Sequence, residues 1–360
     1  MEIEAPEQLR ARLEAGASLA GARFQNLDLG AFEEALLARD DLEGLIVLGG
    51  SLSHRLAAHL TSHRALVFPA APHAPVNPYR ESLYTPEELY DPIEKGYAAT
   101  IDGQAYAWSR AADNAHDAYI SLLQAAHDVS ITDALDEWIA GAPVVGVMGG
   151  HALRRGSRDY AQAAHLAHRL ARHGLVVATG GGPGAMEAAN LGAFAGTPQD
   201  LDSALAQLAA VPGFEPSIDD WVVVALAARE RLLQSGAAED RSVGIPTWFY
   251  GHEPPNVFCN AIAKFFSNAL REDGLLARSS AGVVVLPGAA GTVQEIFQAV
   301  TPRYYSDADD VPALVLVGRE HWTQTVPVWQ ALEALGHERA LGRAVRLVDG
   351  LEEAAVALGA

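Results

Sequence analysis

From Pro143 onward the chain alternates short apolar runs with longer amphipathic stretches, and nothing else in the sequence constrains the fold as strongly. Apolar runs at 144–148, 175–178, 243–250, 282–286, 313–317 and 345–348 predict strands. The stretches at 157–173, 184–195, 256–273, 292–301, 326–335 and 351–358 predict the helices between them. Short buried strands joined by helices imply a parallel sheet covered on both faces. With right-handed crossovers this becomes a Rossmann-like, doubly wound α/β fold. One irregular insertion is expected at 197–218, followed by a helix over 219–234.

The preceding residues carry a single strand–helix–strand signal. Leu45-Ile-Val-Leu48 and Ala65-Leu-Val-Phe68 read as strands around a helix at 51–62. A Pro- and Tyr-rich stretch at 69–92 reads as an ordered surface excursion, with helices at 105–126 and 131–140. Gly141-Ala-Pro143 punctuates the boundary. The expected organisation is a smaller α/β accessory domain over 1–140, read as a reduced copy of the same architecture, and a nucleotide-binding domain over 141–360.

Composition narrows the partners. Apolar residues make up 49% and charged residues 19% of 360, which excludes a disordered chain. Asp and Glu total 45 against 25 Lys and Arg, a net charge of −20 that repels nucleic acid and anionic membrane. Small anions remain possible, because a few arginines and amides reverse the field within one pocket. No apolar run reaches the roughly 20 residues of a membrane helix, and MEIEAPEQLR lacks the basic start of a signal peptide, so the expected location is cytoplasmic. The single cysteine, Cys259, makes neither an internal disulfide nor a Cys-based zinc cluster and reads as a packed residue.

Three glycine-rich turns fall at the carboxyl ends of predicted strands, where such sheets bind ligands. They are Gly149-Gly150-His151, then Thr179-Gly180-Gly181-Gly182-Pro183-Gly184-Ala185-Met186, then Pro287-Gly288-Ala289-Ala290-Gly291-Thr292. Glycine lets an anion approach the backbone, and the helix that follows presents unpaired N–H groups and its positive dipole end. One such turn is as consistent with tight packing as with phosphate, but three at one edge favour a phosphate-bearing ligand. The spacing matches neither a P-loop nor the Gly-x-Gly-x-x-Gly of dinucleotide enzymes.

The stretch from Thr179 to Asn190, reading TGGGPGAMEAAN, and that from Pro287 to Glu295, reading PGAAGTVQE, resemble the paired signatures of the LOG family. These are cytokinin riboside 5′-monophosphate phosphoribohydrolases and related nucleotide nucleosidases, once labelled lysine decarboxylases. The resemblance covers about 143–350, with Ala289 where the usual Pro-Gly-Gly-x-Gly-Thr-x-x-Glu signature has its second glycine. It implies hydrolysis of the N-glycosidic bond of a nucleoside 5′-monophosphate such as AMP, giving free base and ribose 5-phosphate, with no cofactor or metal. It also implies a homodimer or larger homo-oligomer. The signature glutamate falls on Glu295, and the family's arginine falls best on Arg271, where the local pattern departs from the family's. Phosphate and nucleotide binding fall on Gly149, Gly150, Gly180, Gly181, Gly182, Gly184, Met186, Gly288, Ala289, Ala290, Gly291 and Thr292.

Elementary chemistry fits these roles. N-glycoside cleavage passes through an oxocarbenium-like state that a carboxylate stabilises, while water must be deprotonated or oriented. An arginine binds phosphate or a departing base. A nucleotide-binding or carrier protein without turnover is the alternative. Lysine decarboxylation needs a lysine to hold pyridoxal phosphate, and Lys95 and Lys264 are the only lysines. Lys264 lies in a helical context unsuited to that role.

Simpler readings apply elsewhere. Glu295 near a helix start and Thr292 both have capping roles available, and Arg271 beside Glu272 and Asp273 suggests a solvated ion pair. Lys264 reads as a surface lysine on the helix of Arg271. Of Arg154 and Arg155, one is expected over the ligand and one in solvent. Asn190 and Met186 read as packing residues, Met186 also as a floor for the base. Phe249 and Tyr250 suit either a base pocket or the core. His165, His168 and His173 read as an exposed polar face rather than metal ligands.

Overall fold

The computed structural model describes residues 1–114, 117–249, 253–306 and 311–360. The chain forms two compact units, one of Met1–Leu83 with Ala107–Leu135, the other of Tyr84–Tyr106 with Asp136–Ala360.

The first unit is built on four parallel strands: β1 (Glu2–Ile3), β2 (Arg23–Gln25), β3 (Ile46–Leu48) and β4 (Leu66–Phe68). Helices α1 (Pro6–Glu14), α2 (Glu33–Leu37) and α3 (His54–Ser62) connect them. Ser53 starts α3 by accepting the Leu56 N–H on its side chain. The strand order is β1-β2-β3-β4 without reversal. Right-handed crossovers that always advance the same way leave the helices on one face. Burial agrees, since Val47 is enclosed in a leucine-rich core while Leu66 on β4 is 55% exposed. The unit is therefore singly wound rather than a reduced copy of a doubly wound domain, and it has no strand-order switch point.

The stretch 69–110 includes α4 (Pro86–Tyr90), which Thr85 caps, and α5 (Ile101–Arg110); α6 follows at Ala118–Trp138. The expected break near 127–130 is absent, because His127, Asp128, Ser130 and Ile131 form a buried face in mid-helix.

The second unit carries β5 (Val144–Met148), β6 (Val176–Thr179), β7 (Ser242–Gly244), β8 (Ala261–Ile262), β9 (Gly282–Val285), β10 (Leu314–Val317) and β11 (Val345–Val348). All pair in parallel, in the order β11-β10-β9-β5-β6-β7-β8. Every residue of β5, β6, β9 and β10 is buried, as in a sheet covered on both faces. The chain runs one way from β5 to β8 and then returns to β9 beside β5, so the switch point lies between β5 and β9. Helices α7 (Arg158–Arg172), α8 (Ala185–Phe194), α9 (Pro198–Leu208), α10 (Ile218–Ser235), α11 (Asn268–Arg278), α12 (Ala290–Tyr304), α13 (Trp329–Gly336), α14 (Ala340–Ala344) and α15 (Leu351–Ala357) complete it. This is the expected Rossmann-like architecture.

Three expectations are corrected. The insertion at 197–218 holds α9, which starts where Thr197 accepts the Asp200 N–H and Pro198 takes the first helical position. The helix expected over 256–273 is a buried extended segment with β8, then α11. The run from Asn256 to Phe266 is buried nearly throughout, and apolar residues enclosed on all sides give no periodicity to separate strand from helix. The strand expected over 243–250 stops at Gly244, two residues before Pro246, which has no N–H to give a neighbour. Tyr250 lies outside the described residues. No helix among the described residues is long and apolar enough to cross a membrane.

Candidate functional site

The crevice beyond β5 and β9 holds a cavity of about 170 Å3. Gly149, Gly180, Met186, Ala289, Gly291, Thr292, Arg271 and Glu295 line it, together with Met148, His151, Glu253 and Glu272. The structure thus brings residues from all three glycine turns to one place. Gly150, Gly181, Gly182, Gly288 and Ala290 stand outside this lining, and Gly184 faces a neighbouring cavity.

Glycine is required where the turns meet. Gly149 has φ +88°, and a Cβ there would lie 2.3 Å from the Leu286 carbonyl oxygen at the end of β9. Gly184 has φ +74°, and a Cβ there would lie 2.5 Å from the carbonyl oxygens of Gly150 and His151. The Ala185 N–H donates to the Gly150 carbonyl at 3.0 Å, joining the first turn to α8. Asn190 holds the second turn from behind. Its Oδ1 accepts from Thr179 Oγ1 at 2.6 Å and Asn256 Nδ2 at 2.9 Å, while Thr179 Oγ1 accepts the Gly181 N–H. Asn190 is a packing residue, as expected.

The N-termini of α8 and α12 differ. In α8 the third helical residue is Glu187, whose buried carboxylate accepts from Arg155 Nε at 2.8 Å, Arg155 Nη2 at 2.5 Å and Tyr160 Oη at 2.8 Å. Arg155 also donates to the Trp221 carbonyl and lies 4.4 Å over the Trp221 ring. Arg155 is therefore a buried structural group, and Arg154 is the exposed member of the pair. Neither helix has a side-chain cap among the described residues, with Gly184 at the cap position of α8 and Ala289 at that of α12, but the α12 N-terminus carries no carboxylate in its first turn. Thr292 is the third residue of α12, not its cap, and sits on the cavity wall.

Arg271 and Glu295 meet at 3.4 Å, with 12% and 15% of their side chains exposed. Arg271 does not form the expected solvated pair with its sequence neighbours. Glu272 is buried and accepts from Asn268 Nδ2 at 2.8 Å and Gln294 Nε2 at 2.7 Å. Arg271 Nε is buried with no hydrogen-bond partner among the described residues, so the guanidinium has donor capacity to spare at the cavity wall. Burial pushes the Glu295 carboxyl up to about 7; Arg271 opposes the shift and Glu272 adds to it. A carboxyl poised near neutrality beside an underused guanidinium and an open helix N-terminus suits acid–base work on an anionic ligand.

Other candidates leave the site. Lys264 is not on α11 and not at the surface. It is 1% exposed, donates to Asp102 Oδ1 at 2.5 Å, and lies 5.1 Å from the Trp248 ring centre. Trp248 Nε1 donates to the same oxygen, and Tyr97 Oη donates to the other. Phe249 is 53% exposed and off the cavity wall. His168 is buried with Nδ1 3.0 Å from the Gly192 carbonyl, whereas His165 is exposed near Asp202, so the three histidines share no polar face. No group of three metal-binding side chains occurs among the described residues. Burial pushes the Cys259 thiol up to about 12, consistent with a packed residue. Sequence reasoning missed Glu253 and Glu272 as wall residues and Glu187 as Arg155's partner, and did not single out His151 within the first glycine turn; His151 and Glu187, in or just after a glycine loop, carried a signal.

Residues 142–197, which span β5, α7, β6, the second glycine turn and α8, match the model of the SLOG cluster4 family. The resemblance to LOG-type proteins therefore holds over that segment. The chain is also similar to the molybdenum cofactor carrier protein of Chlamydomonas reinhardtii, at 18% identity and TM-score 0.36, over 61% of this chain and 96% of that one. The molybdenum cofactor binding protein of Rippkaea orientalis is similar at 16% identity and TM-score 0.35, over 60% and 94%. The structure of TM1055 is similar at 19% identity and TM-score 0.37, over 61% and 99%. No curated protein matches the chain.

Proposed function

We propose that the crevice between β5 and β9 hydrolyses the N-glycosidic bond of a nucleoside 5′-monophosphate. The observation that carries this reading is the single cavity shared by Glu295, Arg271 and the open N-terminus of α12. The phosphate sits on the first amides of α12, with Arg271 compensating its charge. At C1′ the bond to the base nitrogen breaks, and its electron pair leaves with the base, which takes a proton from solvent. Water forms the new C1′–O bond and gives its proton to the Glu295 carboxylate, yielding ribose 5-phosphate. Association of the chain with itself and a cytoplasmic location belong to the same reading.

Binding without turnover is the second reading, and Ala289 favours it, because a methyl lines the cavity where the LOG signature has glycine. Chromatography of a panel of nucleoside 5′-monophosphates after incubation with wild type and Glu295→Ala separates the two. Hydrolysis predicts free base from wild type and none from the variant, with AMP still raising the variant's melting temperature. It also predicts that kcat/KM rises with pH through about 7, as Glu295 loses its proton. Stabilisation by AMP with no base from any monophosphate establishes the binding protein.

A further inference from the structure

A second cavity, of about 400 Å3, adjoins the first with His151 as a common wall. It falls within the range of roughly 300–1,000 Å3 typical of small-ligand sites, whereas the 170 Å3 cavity is below it. The smaller space suits a sugar phosphate and leaves the base of a nucleotide to be housed elsewhere.

The chemistry of the larger cavity is not that of a second phosphate site. Its floor contains Arg155 and Glu187, which neutralise each other. What its wall still offers is the half-buried ring of Phe214, held edge-to-face against Trp221 with centroids 6.3 Å apart, and the exposed Arg154 and Glu215. A fixed aromatic ring with a donor and an acceptor nearby matches the needs of a nitrogen heterocycle, which stacks by its face and hydrogen-bonds by its edge. Phe214 and Glu215 come from the connection between α9 and α10, within the stretch that read as an insertion in the sequence.

We infer that this cavity receives the nucleobase, so that the ligand spans both compartments past His151; the inference rests on the proposed reading of the β5–β9 crevice. Phe214 is then the stacking platform, and a two-ring purine is accommodated.

Calorimetric titration of the full chain with AMP and, separately, with ribose 5-phosphate tests this. Phe214→Ala weakens AMP binding about 5- to 150-fold, as loss of a stacking partner does, and leaves ribose 5-phosphate binding unchanged. Phe214→Trp restores AMP binding. Melting temperatures of the free variants check that each is folded, and Phe214→Leu, which keeps the apolar volume without an aromatic face, behaves as Phe214→Ala does. The inference is overturned if Phe214→Ala and Phe214→Leu bind AMP like wild type, or lose both ligands equally. Should wild type bind AMP but release no base, hydrolysis fails, while the comparison between the two ligands still decides the base compartment. Should wild type bind neither ligand, both readings fail.

Discussion

Glu295→Gln provides a test of the site that needs no substrate. The Glu295 carboxyl is raised from its ordinary 4.5 to about 7 in the folded protein. Between those values the folded state holds a proton that the unfolded state has released, so folding becomes less favourable as pH rises through this window. Below 4.5 both states are protonated and the penalty vanishes; above 7 it is complete. Linkage across this window gives a penalty of about 1 kcal/mol at pH 5 and about 3 kcal/mol at pH 8, so it grows by roughly 2–3 kcal/mol. Glutamine does not titrate, so the stability difference between variant and wild type grows by that amount over the same range. For a unit of this size the growth corresponds to a change of about 5–10 °C in the melting-temperature difference. The pull of Arg271 on the ionised carboxylate is already contained in the value of about 7, so its loss in the variant adds no separate slope. Scanning calorimetry of both proteins at half-unit pH steps reads this slope. A difference that is flat, or that shrinks as pH rises, refutes the claim that burial holds Glu295 near neutrality.

Two buried ion pairs yield further expectations. Arg155→Met leaves the Glu187 carboxylate enclosed with Tyr160 alone and costs about 3–5 kcal/mol in guanidinium unfolding, whereas adding Glu187→Leu recovers most of the loss. Lys264→Met strands Asp102 between the Trp248 and Tyr97 donors, with a loss of similar size; Lys264→Arg does not rescue it, because the larger fork does not fit a fully enclosed site. An unchanged unfolding midpoint in either single variant contradicts the burial described for that pair.

Legibility in the sequence followed the physics of each segment. Strand β5 matches the expected 144–148 and β11 the expected 345–348, since compact apolar runs between turn residues leave little freedom. The singly wound order of the first unit was not readable, because β1 has two residues and β2 three, too few for any periodicity. Lys264 was misplaced for a related reason. Its neighbours Ala263 and Phe265 are buried on both sides, so the run carries no amphipathic stripe to show which way the lysine points. The pairing of Arg271 with Glu295 spans 24 residues and two helices. Nothing local in the sequence specifies it, and only the likeness to a known signature brought the two together.

The two glycine signatures then divide a task that the sequence presents as shared. Each places the start of a helix at the carboxyl edge of the sheet, and each start attracts negative charge. At α8 the chain supplies that charge itself, in Glu187, and fixes it with Arg155 and Tyr160. A phosphate brought to that start meets a carboxylate already neutralised by its own arginine. At α12 the cap residue Ala289 likewise provides no side-chain acceptor among the described residues, but no carboxylate stands in the first turn and Arg271 on the cavity wall keeps a donor unused. Within the proposed function the first signature therefore shapes the crevice, through Gly184 against Gly150 and Asn190 behind Thr179, while the second holds the ligand. Substitutions in 179–190 other than at the cavity-lining Gly180 and Met186 therefore act mainly on folding. Those at Ala289, Gly291, Thr292 and Glu295 act on binding and turnover in a protein that remains folded.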